Sequence, residues 1–177
     1  MLHTRSALAR ALRLSLFTAA ACACLAAWAD DYGDVSQLLK SGKFQEALAK
    51  ADQYLVAKPR DPQMRFLKGV VQAESGNKAE AITTYTQLTQ DYPELPEPYN
   101  NLAVLYAAQN DFDKARVALE AAVRANPDYA TAHENLGDVY TRLAGQSYAR
   151  AQQLEAGNKS VAAKLALSRQ LLTQPAR

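Results

Sequence analysis

Catalysis needs a proton shuttle, a nucleophile, a metal or a phosphate cradle, and this sequence supplies few residues for any of them. Its two histidines are His3 and His133, and its two cysteines, Cys22 and Cys24, stand together near the N-terminus. A Ser-His-Asp arrangement would have to be built on His133, and metal ligation meets the same shortage. Paired carboxylates occur at Asp30-Asp31, at Glu94 with Glu97, and at Glu134 with Asp138. The last pair is four residues apart, hence on one helix face, where two carboxylates could share a proton or a cation. The same spacing also makes an ordinary solvated acidic face. The expectation is a protein with no catalytic residue, no metal and no cofactor. Asn100 and Asn101, side by side between Tyr99 and Leu102, are the polar pair that most resembles a ligand clamp.

The first 29 residues read as a secretory leader. Arg5, Arg10 and Arg13 form a positive n-region, LSLFTAAACACLAA an apolar core, and Ala27-Trp28-Ala29 a cleavage site with small residues where a signal peptidase inspects them. The apolar run is shorter than the roughly 20 residues that span a bilayer, and no twin-arginine pair is present. Acylated cysteines usually follow a Leu three positions earlier, where this chain has Ala19 and Ala21, so membrane attachment would require lipidation of Cys22 or Cys24 against that pattern. Cleavage after Ala29 predicts a periplasmic, cysteine-free protein beginning at Asp30. The chain has 20 Lys+Arg and 18 Asp+Glu; losing three arginines with the leader leaves a balance of −1, which does not favour nucleic acid or an anionic membrane as partner.

What must position any site is a repeat. Gly42, Gly76 and Asn110 are spaced by 34 residues, as are Ala47, Ala81 and Ala115, and Pro59, Pro93 and Pro127. Gly33, Gly42, Gly69 and Gly76 belong to this repeat rather than to a phosphate loop. Each unit reads as two amphipathic helices: Tyr99, Leu102, Ala103 and Tyr106 fall at helical spacing, Asn110-Asp111 breaks the run, and Phe112, Ala115, Leu119, Ala122 and Val123 resume it until Pro127. Across Tyr92 to Pro98, Pro93 ends one helix while Pro96 and Pro98 open the next, where a missing N–H costs little; the three prolines could otherwise be read as a polyproline ligand.

These columns resemble the tetratricopeptide repeat family, with a large residue, Leu-Gly and Tyr in helix A and Ala, an aromatic and Pro in helix B. The third copy shows Tyr99, Leu102-Ala103, Tyr106, Phe112, Ala115 and Pro127; the fourth opens with His133, Leu136-Gly137 and Tyr140; the second is looser and the first degenerate in helix A. The resemblance implies an all-α, right-handed α-solenoid, with repeats at about 30–61, 62–95 and 96–129, a degenerate copy at 130–158 and a capping helix at 159–173. Small residues at Gly69, Ala103 and Gly137 are expected where helices approach closely. In the fourth copy Leu136, Tyr140, Leu143, Ser147, Ala151 and Leu154 keep helical period across Ala144-Gly145, which predicts one long helix from about Ala130 to Ala156, ended by Gly157-Asn158. Val161, Leu165 and Leu172 supply the apolar face of the cap.

The resemblance further implies a binding scaffold whose helices A line a concave groove. Counting 100° per residue places Glu97, Val104 and Ala108 in a stripe flanked by Asn100 and Asn101. The equivalent residues are Phe66, Val70 and Glu74 in the second copy and Glu134, Asn135, Asp138 and Arg142 in the fourth. Asn101 recurs as Asn135 and reads as generic scaffold or peptide-backbone contact, whereas Asn100 has Phe66 and Glu134 in its column and reads as the asparagine particular to a partner. Some family members hold a C-terminal carboxylate with Lys, Arg and Asn; here the flanking basic positions are Phe66, Val70, Asn100 and Glu134, so that clamp is rejected. The expected ligand is a protein or peptide, neutral or basic, with an apolar anchor. The function expected is a non-enzymatic periplasmic scaffold for a segment of an envelope protein. The alternative is a structural subunit of an envelope or secretion complex whose groove is filled by its own terminal helix or by a second copy, as a homodimer.

Overall fold

A computed structural model describes residues 31–173, and the expected leader, its cleavage site, Cys22 and Cys24 lie outside the described residues. All the secondary structure described is helical. The chain divides between Ser75 and Gly76 into two compact units. The first holds α1 (31–40), α2 (Phe44–Ala57) and α3 (Pro62–Glu74). The second holds α4 (Lys78–Asp91), α5 (Pro96–Ala108), α6 (Phe112–Ala125), α7 (Ala130–Leu154) and α8 (Lys159–Thr173).

The repeat columns act on the backbone first. Gly42, Gly76 and Asn110 take φ of 70°, 86° and 61°, the left-handed region that turns a helix off. After α1, Gly42 N–H donates to Leu39 O at 3.0 Å and Lys43 N–H to Leu38 O at 2.9 Å; after α5, Asn110 N–H donates to Ala107 O and Asp111 N–H to Tyr106 O at 2.9 and 3.0 Å. Both pairs are Schellman turns. The proline column sets the other helix ends. Lys58, Tyr92 and Asn126, each preceding a proline, have φ of −135°, −138° and −141°, because the proline ring drives its predecessor out of the helical region. Pro96 and Pro98 lie buried in the first turn of α5.

The alanine column is fully buried, with Ala47, Ala81 and Ala115 at 0% exposure. In the first unit Val35, Ala47, Ala51, Met64 and Val71 make the core, and Leu67 packs against it. Tyr85, Leu88, Leu102, Ala103, Leu119, Ala132 and Val139 are buried in the second.

α7 runs unbroken through Ala144-Gly145 for 25 residues and ends at Leu154, short of Gly157-Asn158. The position 34 residues after Asn110 is Ala144, a strong helix former that avoids positive φ, so no turn forms there. The short link at 155–158 turns the chain back, Asn158 Oδ1 accepts from Val161 N–H at 3.2 Å, and α8 packs against α7 through Leu165 and Ser168. A Cβ at Gly145 would stand 3.2 Å from Ser168 Oγ, so that glycine admits α8.

The expected close approach at Gly137 is corrected: it is exposed, and nothing lies within 4 Å of where its Cβ would be. A small residue there serves a helix B folded back onto helix A. Because α7 continues instead of turning, that partner is missing.

Candidate functional site

The stripe predicted on α5 and α7 lies within the second unit, while Phe66, Val70 and Glu74 lie on α3 of the first. Phe66 and Val70 are half-buried there and Glu74 is exposed.

In the second unit the asparagines form a ladder. Asn135 Nδ2 on α7 donates to Asn100 Oδ1 on α5 at 2.8 Å, Asn100 Nδ2 reaches Asn101 Oδ1 at 3.4 Å, and Asn101 Nδ2 donates to Tyr85 Oη on α4 at 3.0 Å. Three helices are joined by amide and phenol groups whose polar atoms need partners when buried. Among the described residues, no buried side-chain nitrogen or oxygen lacks one.

The reading of Asn100 as the residue offered to a partner is therefore corrected. It is 5% exposed, and its carbonyl is taken by Asn135. A helical count made on α5 alone puts it on the edge of the stripe; α7 then packs over that edge. Asn101 and Asn135 are half-buried at the ladder's margins. Tyr85, in helix B of the second repeat, anchors the ladder at 1% exposure.

Around the ladder the exposed residues are those predicted. Glu97 and Ala108 on α5 and Glu134 and Asp138 on α7 face solvent, as does Val104, at 51% exposure. The Asn135 to Asn100 bond brings these two helices edge to edge, so carboxylates lie on both sides of the contact. The Tyr129 hydroxyl, at the start of α7, is pushed up by burial and then by the charge of Glu97. Arg142 is exposed and stacks its guanidinium over the Phe112 ring at 5.5 Å, so the stripe's single cation is turned toward α6. His133 is exposed and its Nε2 donates to Pro127 O at 2.9 Å, a loop tie at the α6 to α7 corner.

Two other features were not visible in the sequence. Tyr99, Leu102, Tyr106, Val117, Ala118 and Ala121 line an apolar cleft of about 390 Å³, with Val117 54% exposed at its edge. In the first unit Tyr32 Oη donates to Asp61 Oδ2 at 2.7 Å and lies 2.9 Å from Tyr54 Oη, which reaches the same carboxylate oxygen at 3.2 Å. Burial raises the Asp61 carboxyl, but the Met64 amide, both phenols and the Lys58 charge outweigh it and hold the group below the usual carboxylate range. Burial, then the bonds to Tyr54 and Asp61, push the Tyr32 hydroxyl up. The cluster clamps α1 and α2 to the start of α3, where Asp61 is also the N-cap. Its residues, Tyr32, Tyr54 and Asp61, are 22 and 7 apart in sequence, outside any local pattern.

A tetratricopeptide repeat family model matches residues 35–96 and a TPR repeat model matches residues 105–143, together more than half of the chain. The TPR repeat-containing thioredoxin TTL4 of Arabidopsis thaliana is 32% identical over 120 residues, 68% of this chain and 17% of that protein. The chain spans about a fifth of the length of the curated relatives it matches. The Yersinia enterocolitica type III secretion chaperone SycD, solved in complex with a peptide of the translocator YopD, is similar at TM-score 0.58 and 15% identity, over 64% of this chain and 92% of that one. The first TPR of Spaghetti (RPAP3), solved with the HSP90 peptide SRMEEVD, gives 0.59 and 17% over 64% and 90%. At these identities the structural likeness carries the fold alone. Together with the turn, alanine and proline columns, the matches show that the chain belongs to the tetratricopeptide repeat family, with its all-α solenoid fold.

Proposed function

We propose that this protein is a non-catalytic scaffold, exported to the periplasm by cleavage after Ala29, that holds a peptide segment of an envelope protein on the concave face of α5 and α7. The observation that carries the reading is the exposed set Glu97, Val104, Glu134 and Asp138 around a ladder that fixes the two helices edge to edge. A rigid surface with one apolar anchor point and carboxylates on both sides selects a ligand that brings an apolar side chain and positive charge. The peptide complexes of SycD and RPAP3 support the peptide-holding part, since both use this fold to hold a segment of another protein. The charge on this face argues for a different ligand from SRMEEVD, whose carboxylates would meet Glu134 and Asp138 head on. Phe66 and Val70 on α3 offer a further half-exposed apolar patch. Support for export comes from the leader sequence, with its arginines, apolar core and Ala-Trp-Ala site.

Fluorescence anisotropy with a peptide panel of equal length tests the site. Basic peptides carrying a leucine are expected to bind best, neutral ones more weakly and acidic ones least, and Glu134→Lys with Asp138→Lys should invert the order. An unchanged order in that variant would refute the assignment.

A further inference from the structure

The apolar cleft of the second unit lies on the other side of α5 from Glu97, Val104 and Ala108. At about 100° per residue, Tyr99, Leu102 and Tyr106 stand opposite that stripe. They form the cleft's floor, Thr89 of α4 stands beside it, and Val117, Ala118 and Ala121 of α6 form its wall. The space of about 390 Å³ is there because a wall of two alanines and a valine is too small to fill the gap over two tyrosines and a leucine. An apolar floor is not a demand of the repeat. One period earlier the same positions hold Arg65, Lys68 and Gln72. One period later His133, Leu136 and Tyr140 have no helix B over them, since α7 runs on.

The two ends of the cleft differ. At one end the Tyr99 hydroxyl donates to Thr89 O at 3.2 Å, and the side chains are uncharged. At the other, Lys114 Nζ lies 5.5 Å from the centre of the Tyr106 ring and is paired with Asp111 at 2.6 Å. Asp113 lines the same end, is exposed, and makes no ion pair among the described residues; Arg116, one turn on, is held by Glu120 at 2.8 Å. Asp113, Val117 and Ala121 follow at every fourth residue along one edge of α6, so the carboxylate sits about 6 Å along the wall from Val117. Val117 is 54% exposed and leaves the cleft open along its side. A free small molecule needs most of its surface enclosed, whereas a side chain held by its own polypeptide can use an open slot.

We propose that this cleft is a second docking site, for a polypeptide segment that seats one aromatic side chain over Leu102, between Tyr99 and Tyr106, and sets a lysine or arginine against Asp113. The tyrosine floor selects the ring, since aromatic pairs gain beyond the area they bury. Charge complementarity selects the cation, because Asp113 is the charged group of the lining left without an ion pair. This site shares no side chain with the face of Glu97, Val104, Glu134 and Asp138 and does not depend on the reading of that face. With one site on each side of α5, the protein holds two segments at once.

The probe is a peptide with one tryptophan and a lysine two residues on, about 6–7 Å away in extended chain. Matched peptides carry alanine for the tryptophan or glutamate for the lysine. Methyl NMR of the full chain reads the site directly, because Leu102, Val117, Ala118 and Ala121 carry methyl groups in the cleft while Val104 and Ala108 report the opposite face. The cleft methyls are expected to shift on titration, and to keep doing so in Glu134→Lys with Asp138→Lys, which removes the attraction of the other face. Read from those methyls, alanine for tryptophan should weaken binding roughly tenfold or more, and glutamate for lysine about threefold or more. Ala121→Phe fills the cleft and should abolish binding with native circular dichroism. Asp113→Lys, at an exposed position, should reverse the preference between the lysine and glutamate peptides. Equal affinity for the tryptophan and alanine peptides, cleft shifts lost in the Glu134→Lys with Asp138→Lys variant, or an unchanged preference in Asp113→Lys each overturn the proposal. Cleft shifts on concentrating the protein alone make a second copy the occupant, and cleft shifts caused by Trp28→Ala make it the leader; both overturn it. The two faces fail separately. Shifts at Val104 and Ala108 alone remove this site and leave the other, and shifts in the cleft alone do the reverse.

Discussion

The asparagine ladder makes an unusual prediction: removing its more exposed member should cost at least as much as removing its buried one. Asn100→Ala deletes the 2.8 Å bond from Asn135 and the marginal 3.4 Å bond to Asn101. The groups it frees, Asn135 Nδ2 and Asn101 Oδ1, belong to half-buried side chains that water reaches. The loss is then one good hydrogen bond plus part of another, about 1–2 kcal/mol. Asn135→Ala removes only one bond, but strands Asn100 Oδ1 in a site 5% exposed. A stranded buried acceptor costs its desolvation, about 1–3 kcal/mol. Urea unfolding followed by far-ultraviolet circular dichroism measures both, with Glu134→Ala, one residue away, as the solvated control near zero. The double variant should show a coupling of about 0.5–1.5 kcal/mol between positions 100 and 135. If Asn135→Ala is as silent as the control while Asn100→Ala is costly, the ladder does not carry the contact between α5 and α7. If Asn100→Ala abolishes peptide binding with no loss of stability, its burial has been misread.

Other perturbations probe the elements that hold the surface. Asn110→Val places a β-branched residue at φ 61° and should destabilise the second unit by about 1–2 kcal/mol, while Asn110→Gly should be near neutral; chemical denaturation reads the difference. Gly145→Leu drives a side chain into Ser168, 3.2 Å from even a Cβ, and should loosen α8 at a cost of about 1–3 kcal/mol, seen as faster hydrogen exchange over residues 159–173. The Asp61 carboxyl is held low in the folded chain, so its contribution is present above the unfolded value of about 3.9 and fades as pH falls. Tyr32 is pushed up, so its contribution is present below about 10 and fades as pH rises. Asp61→Asn should thus destabilise the first unit at neutral pH by about 0.5–2 kcal/mol through the lost cap and phenol bonds, with the gap to wild type narrowing in acid. Thermal melts across pH would expose an error if the gap were constant.

The turns were legible in the sequence because their cause is local. Left-handed φ is tolerated by Gly42, Gly76 and Asn110 for reasons internal to those residues, and Pro59, Pro93 and Pro127 act on the residue before them, so spacing alone located the helix ends. Burial of Asn100 was not legible, because it depends on α7 lying over one edge of α5 and bringing up Asn135, 35 residues away. The Tyr32, Tyr54 and Asp61 clamp was hidden for the same reason.

Gly137 shows how a local cause propagates into the parts that could not be read directly. A repeat column marks Gly137 as a packing position, yet what it packs against is decided seven residues later, where Ala144 stands in the column of Asn110. An alanine there withholds the left-handed turn, so α7 continues to Leu154 and no helix B returns over Gly137. The chain reverses only at 155–158, and α8 comes back along the far half of α7, meeting it at Gly145. In that position α8 buries Leu165 and leaves Leu167 and Leu171 outside, while Glu134 and Asp138 on the near half of α7 stay uncovered. The absence of one turn residue therefore decides which side chains of the two helices stay in solvent, Glu134 and Asp138 on α7 and Leu167 and Leu171 on α8.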